Sequence, residues 1–515
     1  MPRRQVMTAL RAATRQNGPV TSHNLVLALD VGTSSCRAAL FDALGRSVRG
    51  MQTRREYELT TNSAGVAVLE TSRLIAAVEA TVDELYERGG ERLNQVAAVG
   101  TSCFFHSLVG LDARGRADTP ILSWADTSSA AVAAEMRARL NPDEIRDRTG
   151  CELAATYWPA RIVSLKRNGV DCAAWTGFPD LLMERLVGRR AVSVSMASAT
   201  GLLDRRSGEW DVPLLGEVGI AADALPELVP DGEALGTLVP ELRRRWPELA
   251  DVRWLAPWGD GACSNVGAGC LTPDRAALMI GTSGALRTIV ADAVFGPNET
   301  KALPPVPAGL FGFRFAERET LLGGHLSEGG GVIAWLAGML GQKPAALERA
   351  AAELEPDSHG LSILPYLIGE RGPDYRADAR GWVGGLSLST TPAVLFRAML
   401  ESIALGFVAL DDRLAATLGS KPEIVGTGHA LAASPLWQQI VADALGRPME
   451  VSPVAEASSR GAALLALRAV GEIPAIATDP ALRREARLVE PSMAAHRRYR
   501  QALERRQEVA HRILD

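Results

Sequence analysis

The pattern of hydrophobic and polar positions predicts a β-hairpin at the start of the chain. An apolar run over 25–29 is followed by Gly-Thr-Ser at 32–34 and by a second apolar run over 36–42. Short apolar runs on either side of a small, hydroxyl-rich segment are typical of two strands joined by a tight turn. We therefore expect a hairpin whose turn presents hydroxyl and backbone N–H groups.

A second hairpin of the same kind is predicted about half a chain later. The apolar run 276–280 leads into Gly-Thr-Ser at 281–283, and another apolar run follows over 285–290. The two turns begin 249 residues apart, which is close to half of the chain. A repeat with this offset indicates two similarly built halves that face each other, with a boundary near residue 270.

Helical and strand-like patterns alternate through the rest of the chain. Apolar residues at helical spacing over 74–82 predict an amphipathic helix, and 96–99 has the pattern of a strand that ends in a turn at 100–102. Further helices are predicted over 392–414, 436–445 and 460–470, with a solvated terminal helix in 482–515. Strands that alternate with helices indicate α/β layers.

Composition and charge exclude several classes of protein. Of the 515 residues, 47% are hydrophobic and 22% are charged, which excludes disorder, collagen and coiled coil for the bulk of the chain. The formal charge of −5 gives no basic excess and argues against a nucleic-acid partner. No uninterrupted apolar stretch of about 18 residues occurs, so no membrane span is expected.

The cysteines and the N-terminal residues indicate in which cellular compartment the protein is expected. The six cysteines form no C-x-x-C pair and lie at no zinc-ligand spacing, which favours a reduced, cytoplasmic protein without a metal–thiolate site. The first 22 residues carry four arginines and no acidic residue, and they lack the apolar core of a signal peptide. We expect residues 1–23 to form a disordered basic leader, with an organelle transit peptide as the alternative.

The two Gly-Thr-Ser turns are candidates for binding phosphate. Glycine lets an anion approach the backbone closely, and neighbouring N–H groups form an anion-binding nest. One such turn often only closes a hairpin, but two at equivalent positions can hold the β- and γ-phosphates from opposite sides. Asp30, just before the first turn, is placed to hold Mg²⁺ directly or through water. The alternative is that its carboxylate accepts hydrogen bonds from the turn.

Asp260, between Gly259 and Gly261, is the second candidate for chemistry. Small residues with helical character follow it, which predicts an exposed aspartate at a strand-to-helix junction. Such an aspartate can simply cap the helix. With phosphates bound nearby, it is instead the natural general base for a substrate hydroxyl.

These motifs resemble those of the FGGY carbohydrate kinases, a family within the superfamily of sugar kinases, actin and heat-shock chaperones. The resemblance covers nearly all of 24–515, and it also rests on GLSILPYLIGER at 360–371 and on the family's C-terminal signature at 381–401. It implies an α/β fold of two actin-like (ribonuclease H-like) domains with the active-site cleft between them. The domain 24–270 would carry the sugar site, the first hairpin and the base, and 271–515 would bind the nucleotide.

The resemblance also implies roles for individual residues, with ATP and Mg²⁺ as cofactors. Asp260 matches the catalytic base. The phosphate and nucleotide positions are Thr33, Ser34, Ser35, Arg37, Gly281, Thr282, Ser283, Gly330, Gly428 and His429. The substrate positions are Phe105, His106, Trp124, Asp126, Tyr157, Asp260 and Gly261. Three positions depart from the family pattern: His429 stands where glycine is preferred, Ser128 where arginine is common, and Val394 where a polar residue is usual.

The sequence therefore predicts a kinase that phosphorylates a hydroxyl of a small sugar, sugar acid or polyol. The segments 105–108, 124–126 and 195–198 most resemble gluconate-kinase-type members, and glycerol, xylulose and erythritol remain open as acceptors. For a gluconate carboxylate, Arg161, a partly protonated His106 and backbone N–H groups are the candidate partners. Ordinary packing is the alternative role for the histidine and aromatic candidates.

Two functions from other classes remain as alternatives to the kinase. One is an actin- or chaperone-like ATP switch, because a fold does not fix a function. The other is a catalytically silent sugar-binding regulator. Beyond a small-molecule substrate, a second copy of the chain in a homo-dimer remains open as a partner.

Overall fold

The structure is a computed structural model that describes residues 25–292, 303–316, 318–477 and 479–514. The leader predicted over 1–23 lies outside the described residues. The strands of a first large sheet all lie before residue 260, and those of a second large sheet all lie after residue 274.

The first sheet has seven strands and contains the predicted N-terminal hairpin. Leu25–Val31 pairs antiparallel with Ser35–Asp42 and, on its other side, parallel with Val96–Cys103. Every residue of Leu25–Val31 is buried, because helices pack on both faces of the sheet here. From edge to edge the strands are Ala234–Gly236, Arg253–Leu255, Val96–Cys103, Leu25–Val31, Ser35–Asp42 and Ser47–Glu56, with Trp258–Gly259 also pairing with Val96–Cys103.

The second sheet also has seven strands and repeats this arrangement. Arg275–Ile280 pairs antiparallel with Gly284–Ala291 and parallel with Glu423–Thr427. The two halves are thus built alike, as the offset between the two turns predicts. From edge to edge the strands are Phe311–Phe315, Glu319–Leu326, Gly284–Ala291, Arg275–Ile280, Glu423–Thr427, Met449–Val451 and Arg487–Val489.

Helices and small sheets surround the two large sheets. The α-helices are Thr71–Gly89, Ala130–Arg139, Pro142–Thr149, Trp158–Arg167, Phe178–Val187, Val194–Ser198, Val212–Val218, Pro240–Arg245, Asp260–Gly267, Gly330–Met339, Pro344–Ala352, Pro392–Leu418, His429–Ala432, Pro435–Leu445, Ala457–Ala469, Pro480–Glu485 and Met493–Leu514. Short 3₁₀ segments are Gly90–Gln95, Ala222–Ala224 and Pro247–Leu249. One small sheet has three strands, Thr60–Thr61, Ala67–Leu69 and Ile121–Leu122. The other small sheets have two strands each: Val109–Leu111 with Ala174–Thr176; Ala191–Ser193 with Glu227–Val229; Leu203–Asp204 with Glu209–Trp210; and Ser362–Leu364 with Trp382–Gly384.

The predicted helices are present except at the C-terminus. There, the single helix predicted in 482–515 is divided into Pro480–Glu485, the strand Arg487–Val489 and Met493–Leu514. The last helix is only partly solvated, because Tyr499 and three other residues of it are buried. The terminal segment therefore contributes a strand to the second sheet, and its last helix packs against the helix Pro435–Leu445 and the small-sheet strand Ser362–Leu364.

The prediction of a turn at 100–102 is wrong. These residues continue the buried strand Val96–Cys103, in which Thr101 and Ser102 are fully buried. The hydroxyl of Ser102 is satisfied by donating to Asp30 Oδ1 at 2.8 Å on the neighbouring strand. A small hydroxyl residue fits a buried strand when a partner of this kind is present.

The helix Ala457–Ala469 lies on the first sheet although it comes late in the chain. It packs against Val96–Cys103 and Leu25–Val31, and it crosses the helix Asp260–Gly267. At Gly100 a Cβ would overlap the carbonyl of Ala462, so the helix backbone lies directly on the strand.

Two glycines permit the close crossing of these helices. A Cβ at Gly267 would overlap the carbonyl of Ala457, and a Cβ at Gly461 would overlap the carbonyl of Cys263. The two backbones are therefore in direct contact, and a larger residue at either glycine would force them apart.

Within the described residues one helix, Pro392–Leu418, is long and apolar enough to span a membrane by length and composition. The mean hydropathy of its apolar window is 1.9, and 78% of that window is buried inside the protein. Arg397 and Glu401 on this helix are buried and paired at 2.6 Å. These features are those of a core helix in a large domain.

Candidate active site

The two Gly-Thr-Ser turns have similar backbone geometry. In each turn the glycine N–H donates to a carbonyl a few residues on, at 2.9 Å from Gly32 and 3.0 Å from Gly281. Ser34 and Thr282 are exposed at the two tips. Exposed hydroxyls and backbone N–H groups on two like turns are groups that bind phosphate oxygens.

Three of the predicted nucleotide positions lie around the second turn. The N–H of Gly330 donates to Gly281 O at 2.7 Å. Gly428 has a φ of 92°, and a Cβ there would overlap the backbone of the strand before the turn. The ring of His429 lies 3.7 Å from where a Cβ would stand on Gly281, and burial and nearby arginines lower the pKa of this histidine.

Asp30 lies at the end of the first hairpin strand. Its Oδ1 accepts from Ser102 Oγ at 2.8 Å, and its Oδ2 accepts from Arg37 Nη1 at 3.2 Å. Arg37 also pairs with Glu456 at 3.2 Å. Burial raises the pKa of Asp30 against the opposing charge of Arg37. The partners of this carboxylate are therefore side chains, and each oxygen keeps a lone pair of the kind that a hard cation takes.

Asp260 begins the helix Asp260–Gly267 directly after a short strand, so the predicted strand-to-helix junction is present. Its side chain is half-buried rather than exposed, and its Oδ1 accepts from the Gly261 N–H at 2.7 Å. Burial raises the pKa of Asp260 to about 6, with Arg287 opposing and Asp30 reinforcing the shift. A carboxylate with this pKa is ionised at neutral pH and suited to accept a proton.

Gly259 and Gly261 leave room for the side chains that surround this aspartate. A Cβ at Gly259 would overlap the ring of Phe105, and a Cβ at Gly261 would overlap the guanidinium of Arg287. Packing therefore requires the two glycines, whereas the backbone of Gly259, with a φ of −67°, is one that other residues adopt.

His106 is buried and uncharged. Its Nδ1 lies 2.7 Å from Ala199 O, and because a carbonyl only accepts, Nδ1 carries the proton and Nε2 is an acceptor. Burial and the positive charge of Arg371 hold the pKa of His106 well below its usual range. The prediction that His106 is partly protonated at pH 7 is therefore wrong, and it offers no charge to a carboxylate.

Aromatic rings form one wall of the site. The ring centroid of Phe313 lies 5.4 Å from that of Phe105 and 5.8 Å from that of His106. His325 lies 6.2 Å from His106, and burial lowers its pKa well below the usual range. Tyr157 is fully buried and packs edge-on against His106 at 5.1 Å, so its ring supports the wall.

The loop that contains Trp124 and Asp126 is held by hydrogen bonds to the first turn and within the loop. Trp124 Nε1 donates to Thr33 Oγ1 at 3.4 Å. The buried carboxylate of Asp126 accepts from the Ala67 N–H at 3.0 Å and from Ser128 Oγ at 2.7 Å. Asp126 therefore fixes the loop that presents Trp124, and Ser128, where the family often has arginine, takes part in that fixation.

The prediction that Arg161 binds a substrate carboxylate is wrong. The side chain is fully buried and donates to the backbone carbonyls of His106 at 2.6 Å, Ala155 at 2.8 Å and Ser123 at 2.5 Å. Its guanidinium N–H groups donate to three segments of the backbone and are not available to a ligand. Arg161 is thus a positioning residue beneath the site.

Some of these groups line one cavity, which has a volume of about 490 Å³ including adjoining solvent, whereas Asp126, Tyr157 and Arg161 do not line it. Phe105, His106, Trp124 and Asp260 line it from the first half, and residues of the second turn line it from the other. Sequence reasoning missed further lining residues, namely Arg287, Phe311, Phe313, His325 and Arg371. The available signal was an arginine within the apolar strand that follows the second turn, since a charge in a buried strand needs a reason.

Two family models match most of the chain. The N-terminal domain of the FGGY family of carbohydrate kinases matches residues 25–267, and the C-terminal domain of that family matches residues 276–470. The chain belongs to the FGGY family of carbohydrate kinases. It is therefore a phosphotransferase that acts on a small sugar-type substrate, and membership implies ATP as the donor.

Individual relatives of this kinase agree on the family and differ in substrate. A gluconokinase from Bacillus subtilis is 28% identical over 468 residues, which cover 87% of this chain and 88% of that protein. A glycerol kinase from a Polaromonas species is 30% identical over 458 residues, covering 86% and 90%. The crystal structure of a gluconate kinase from Lactobacillus acidophilus matches with a TM-score of 0.82 at 25% identity, covering 95% and 98%.

With Asp260 as the general base, its raised pKa predicts that the activity of this kinase depends on pH. We expect kcat/KM for the acceptor to fall about tenfold per pH unit below about 6, because a protonated Asp260 cannot accept the hydroxyl proton. The test is a rate profile between pH 5 and 9, with the Kd for ATP measured across the same range to separate titration of the nucleotide. A profile that stays flat down to pH 5 would contradict this role.

Proposed function

We propose that this kinase phosphorylates a hydroxyl of a sugar acid, with gluconate as the leading acceptor. One observation carries the proposal: among the described residues that line the cavity, Asp260 is the only carboxylate, and it lies where groups of both halves meet. The similarity to gluconokinases supports an acid as the acceptor, whereas a neutral polyol is the acceptor implied by the glycerol kinase relatives.

In the proposed reaction Asp260 takes the proton of the acceptor hydroxyl while its oxygen attacks the γ-phosphorus of ATP. The new O–P bond forms as the bond from the γ-phosphorus to the β–γ bridging oxygen breaks, and ADP leaves with that electron pair. The hydroxyls and N–H groups of 33–35 and 281–283 would bind the phosphate oxygens, since most catalysis in phosphoryl transfer is positioning and charge stabilisation. Arg287 keeps positive charge beside the base.

The nucleotide and its metal would contact residues around the two turns. Gly330, Gly428 and His429 are the proposed contacts to the nucleotide, because they surround the second turn. Asp30 fits Mg²⁺, directly or through water, since its buried carboxylate has one hydrogen-bond donor on each oxygen. When bound, Mg²⁺ supplies positive charge to the phosphates. Arg37, paired with Asp30, lies next to the same phosphates in this proposal.

An acceptor panel tests the proposed substrate. The purified kinase is assayed for ADP formation with gluconate, glycerol, xylulose, erythritol and ribulose. We expect gluconate to give the highest kcat/KM. Efficient turnover of a neutral polyol with no activity on gluconate would reject the acid and leave the carbohydrate kinase in place. Acceptor-independent ATP hydrolysis alone would reject acceptor phosphorylation by this site.

The two turns are expected to act on one nucleotide. Ser34→Ala and Thr282→Ala should each weaken ATP binding by a fewfold, and the double variant should depart from additivity, because groups that bind one ligand are coupled. Kd values for ATP from calorimetry provide the measurement. Strict additivity together with an unchanged Kd in each single variant would mean that the hairpins are structural only.

A further inference from the structure

The cavity that contains Asp260 carries more positive than negative charge. Its described lining holds two guanidinium groups, Arg287 and Arg371, against the single carboxylate. The two lining histidines, His106 and His325, are held neutral by burial and by nearby positive charge. An uncompensated cation in a partly buried site is costly unless a ligand supplies the opposite charge.

From this geometry we infer that the site selects acceptors bearing a carboxylate and that Arg371 is the residue that binds it. The inference rests on the proposed kinase function and deepens it, because it names the class of acceptor and the residue that distinguishes acids from neutral polyols.

Arg371 is set up to receive a ligand rather than to hold the fold. Its guanidinium lies over the ring of Trp124, 4.7 Å from the centroid. Its buried Nε has no hydrogen-bond partner in the part of the chain that the structure describes. A planar guanidinium that is held by stacking and retains unpaired N–H groups can bind a carboxylate through two parallel hydrogen bonds.

The position of Arg371 relative to the base separates it from the other arginine of the cavity. Arg287 packs against Gly261 and is the main positive influence on Asp260, so its charge acts at the reacting end. Arg371 stacks instead on Trp124, and it is the main electrostatic influence on His106. An extended acceptor with its reacting hydroxyl at Asp260 would therefore direct its other end to Arg371.

The groups between these two ends suit a polyhydroxylated chain. Trp124 offers an apolar face for carbon atoms, and the unprotonated Nε2 of His106 accepts a hydrogen bond from a hydroxyl. A site with a base at one end, a hydroxyl acceptor along its wall and a guanidinium at the other end matches an open-chain sugar acid.

Pairs of acceptors that differ only at the terminal group test this inference. Each pair is an aldonate and its alditol, such as gluconate with glucitol and xylonate with xylitol. We expect wild-type kinase to prefer the acid in each pair, and Arg371→Met to lower the acid-to-alditol ratio of kcat/KM by about 10²–10³-fold, mainly through KM. Arg371→Lys should restore part of the preference, because it keeps the charge but loses the bidentate geometry.

The controls distinguish failure of this inference from failure of the proposed function. Arg349→Met removes an exposed helix arginine and should leave the ratio unchanged. An equal loss for acids and alditols in Arg371→Met would overturn the inference and place Arg371 at the phosphate instead. Preference of wild type for the alditol in every pair would also overturn it while leaving the kinase intact. Turnover of no acceptor would reject the proposed function itself.

A binding measurement tests Arg371 without turnover and guards against a misfolded variant. Calorimetry compares gluconate binding to Asp260→Asn and to Asp260→Asn combined with Arg371→Met, with the thermal melting of both recorded. Weaker gluconate binding by about 10²-fold or more, at similar melting temperature, supports the inference. Equal Kd values for gluconate in the two proteins would overturn it.

Discussion

Asp260→Asn is expected to lower kcat by roughly 10²–10⁴-fold while ATP binding stays largely intact. The amide cannot accept the acceptor proton, yet it has nearly the same size and can still accept from the Gly261 N–H that contacts Asp260 at 2.7 Å. The measurement is steady-state ADP formation with saturating acceptor, together with the Kd for ATP. A kcat within about threefold of wild type would remove Asp260 from the role of base.

Asp231 provides a matched control for this substitution. Burial also raises the pKa of Asp231 to about 6, but its carboxylate accepts from the N–H groups of Ser195 and Ala316 and does not line the cavity. Asp231→Asn should lower the free energy of unfolding and leave kcat nearly unchanged. If both variants lost kcat equally, the loss would reflect a buried carboxylate in general rather than the chemistry of Asp260.

Gly461→Ala is expected to lower the free energy of unfolding by about 2–3 kcal/mol. A Cβ at Gly461 would overlap the carbonyl of Cys263 on the crossing helix, and neither backbone can shift without disturbing the sheet beneath. This cost exceeds the small gain in helix propensity that alanine brings over glycine. Urea denaturation followed by circular dichroism gives the value.

The control for this prediction is Gly338→Ala in the helix Gly330–Met339. A Cβ at Gly338 meets no atom within 4 Å, so alanine should be neutral or stabilising by up to about 1 kcal/mol. If Gly461→Ala were as harmless as Gly338→Ala, the close contact between the two helices would not contribute to stability.

The parts of the fold that depend on local patterns could be predicted from the sequence. Apolar runs flanking Gly-Thr-Ser are sufficient for two hairpins, because strand alternation and turn chemistry are properties of a few adjacent residues. The junction at Asp260 was likewise predictable, since Gly-Asp-Gly before small residues marks the change from strand to helix. The burial of Asp260 was not predictable, because the ring of Phe105 that covers this region comes from a distant loop.

The charged residues show why the rest of the site could not be predicted. Arg161 and Arg371 have the same side chain, but one is consumed by backbone carbonyls and the other stacks on Trp124 in the cavity. The role of an arginine depends on the loops that surround it in the folded structure, and the local sequence does not predict those contacts. Asp126 is similar, because its partner Ala67 lies 59 residues earlier in the chain.

The position of the helix Ala457–Ala469 has a consequence for synthesis of the chain. One face of the central strands Leu25–Val31 and Val96–Cys103 is covered by this helix, which is made about 190 residues after Gly267. At roughly 5–20 residues per second, the ribosome needs about 10–40 s to supply it. During that interval the first sheet presents an uncovered apolar face, so the nascent first half requires the helix Ala457–Ala469, or a chaperone in its place, to remain soluble.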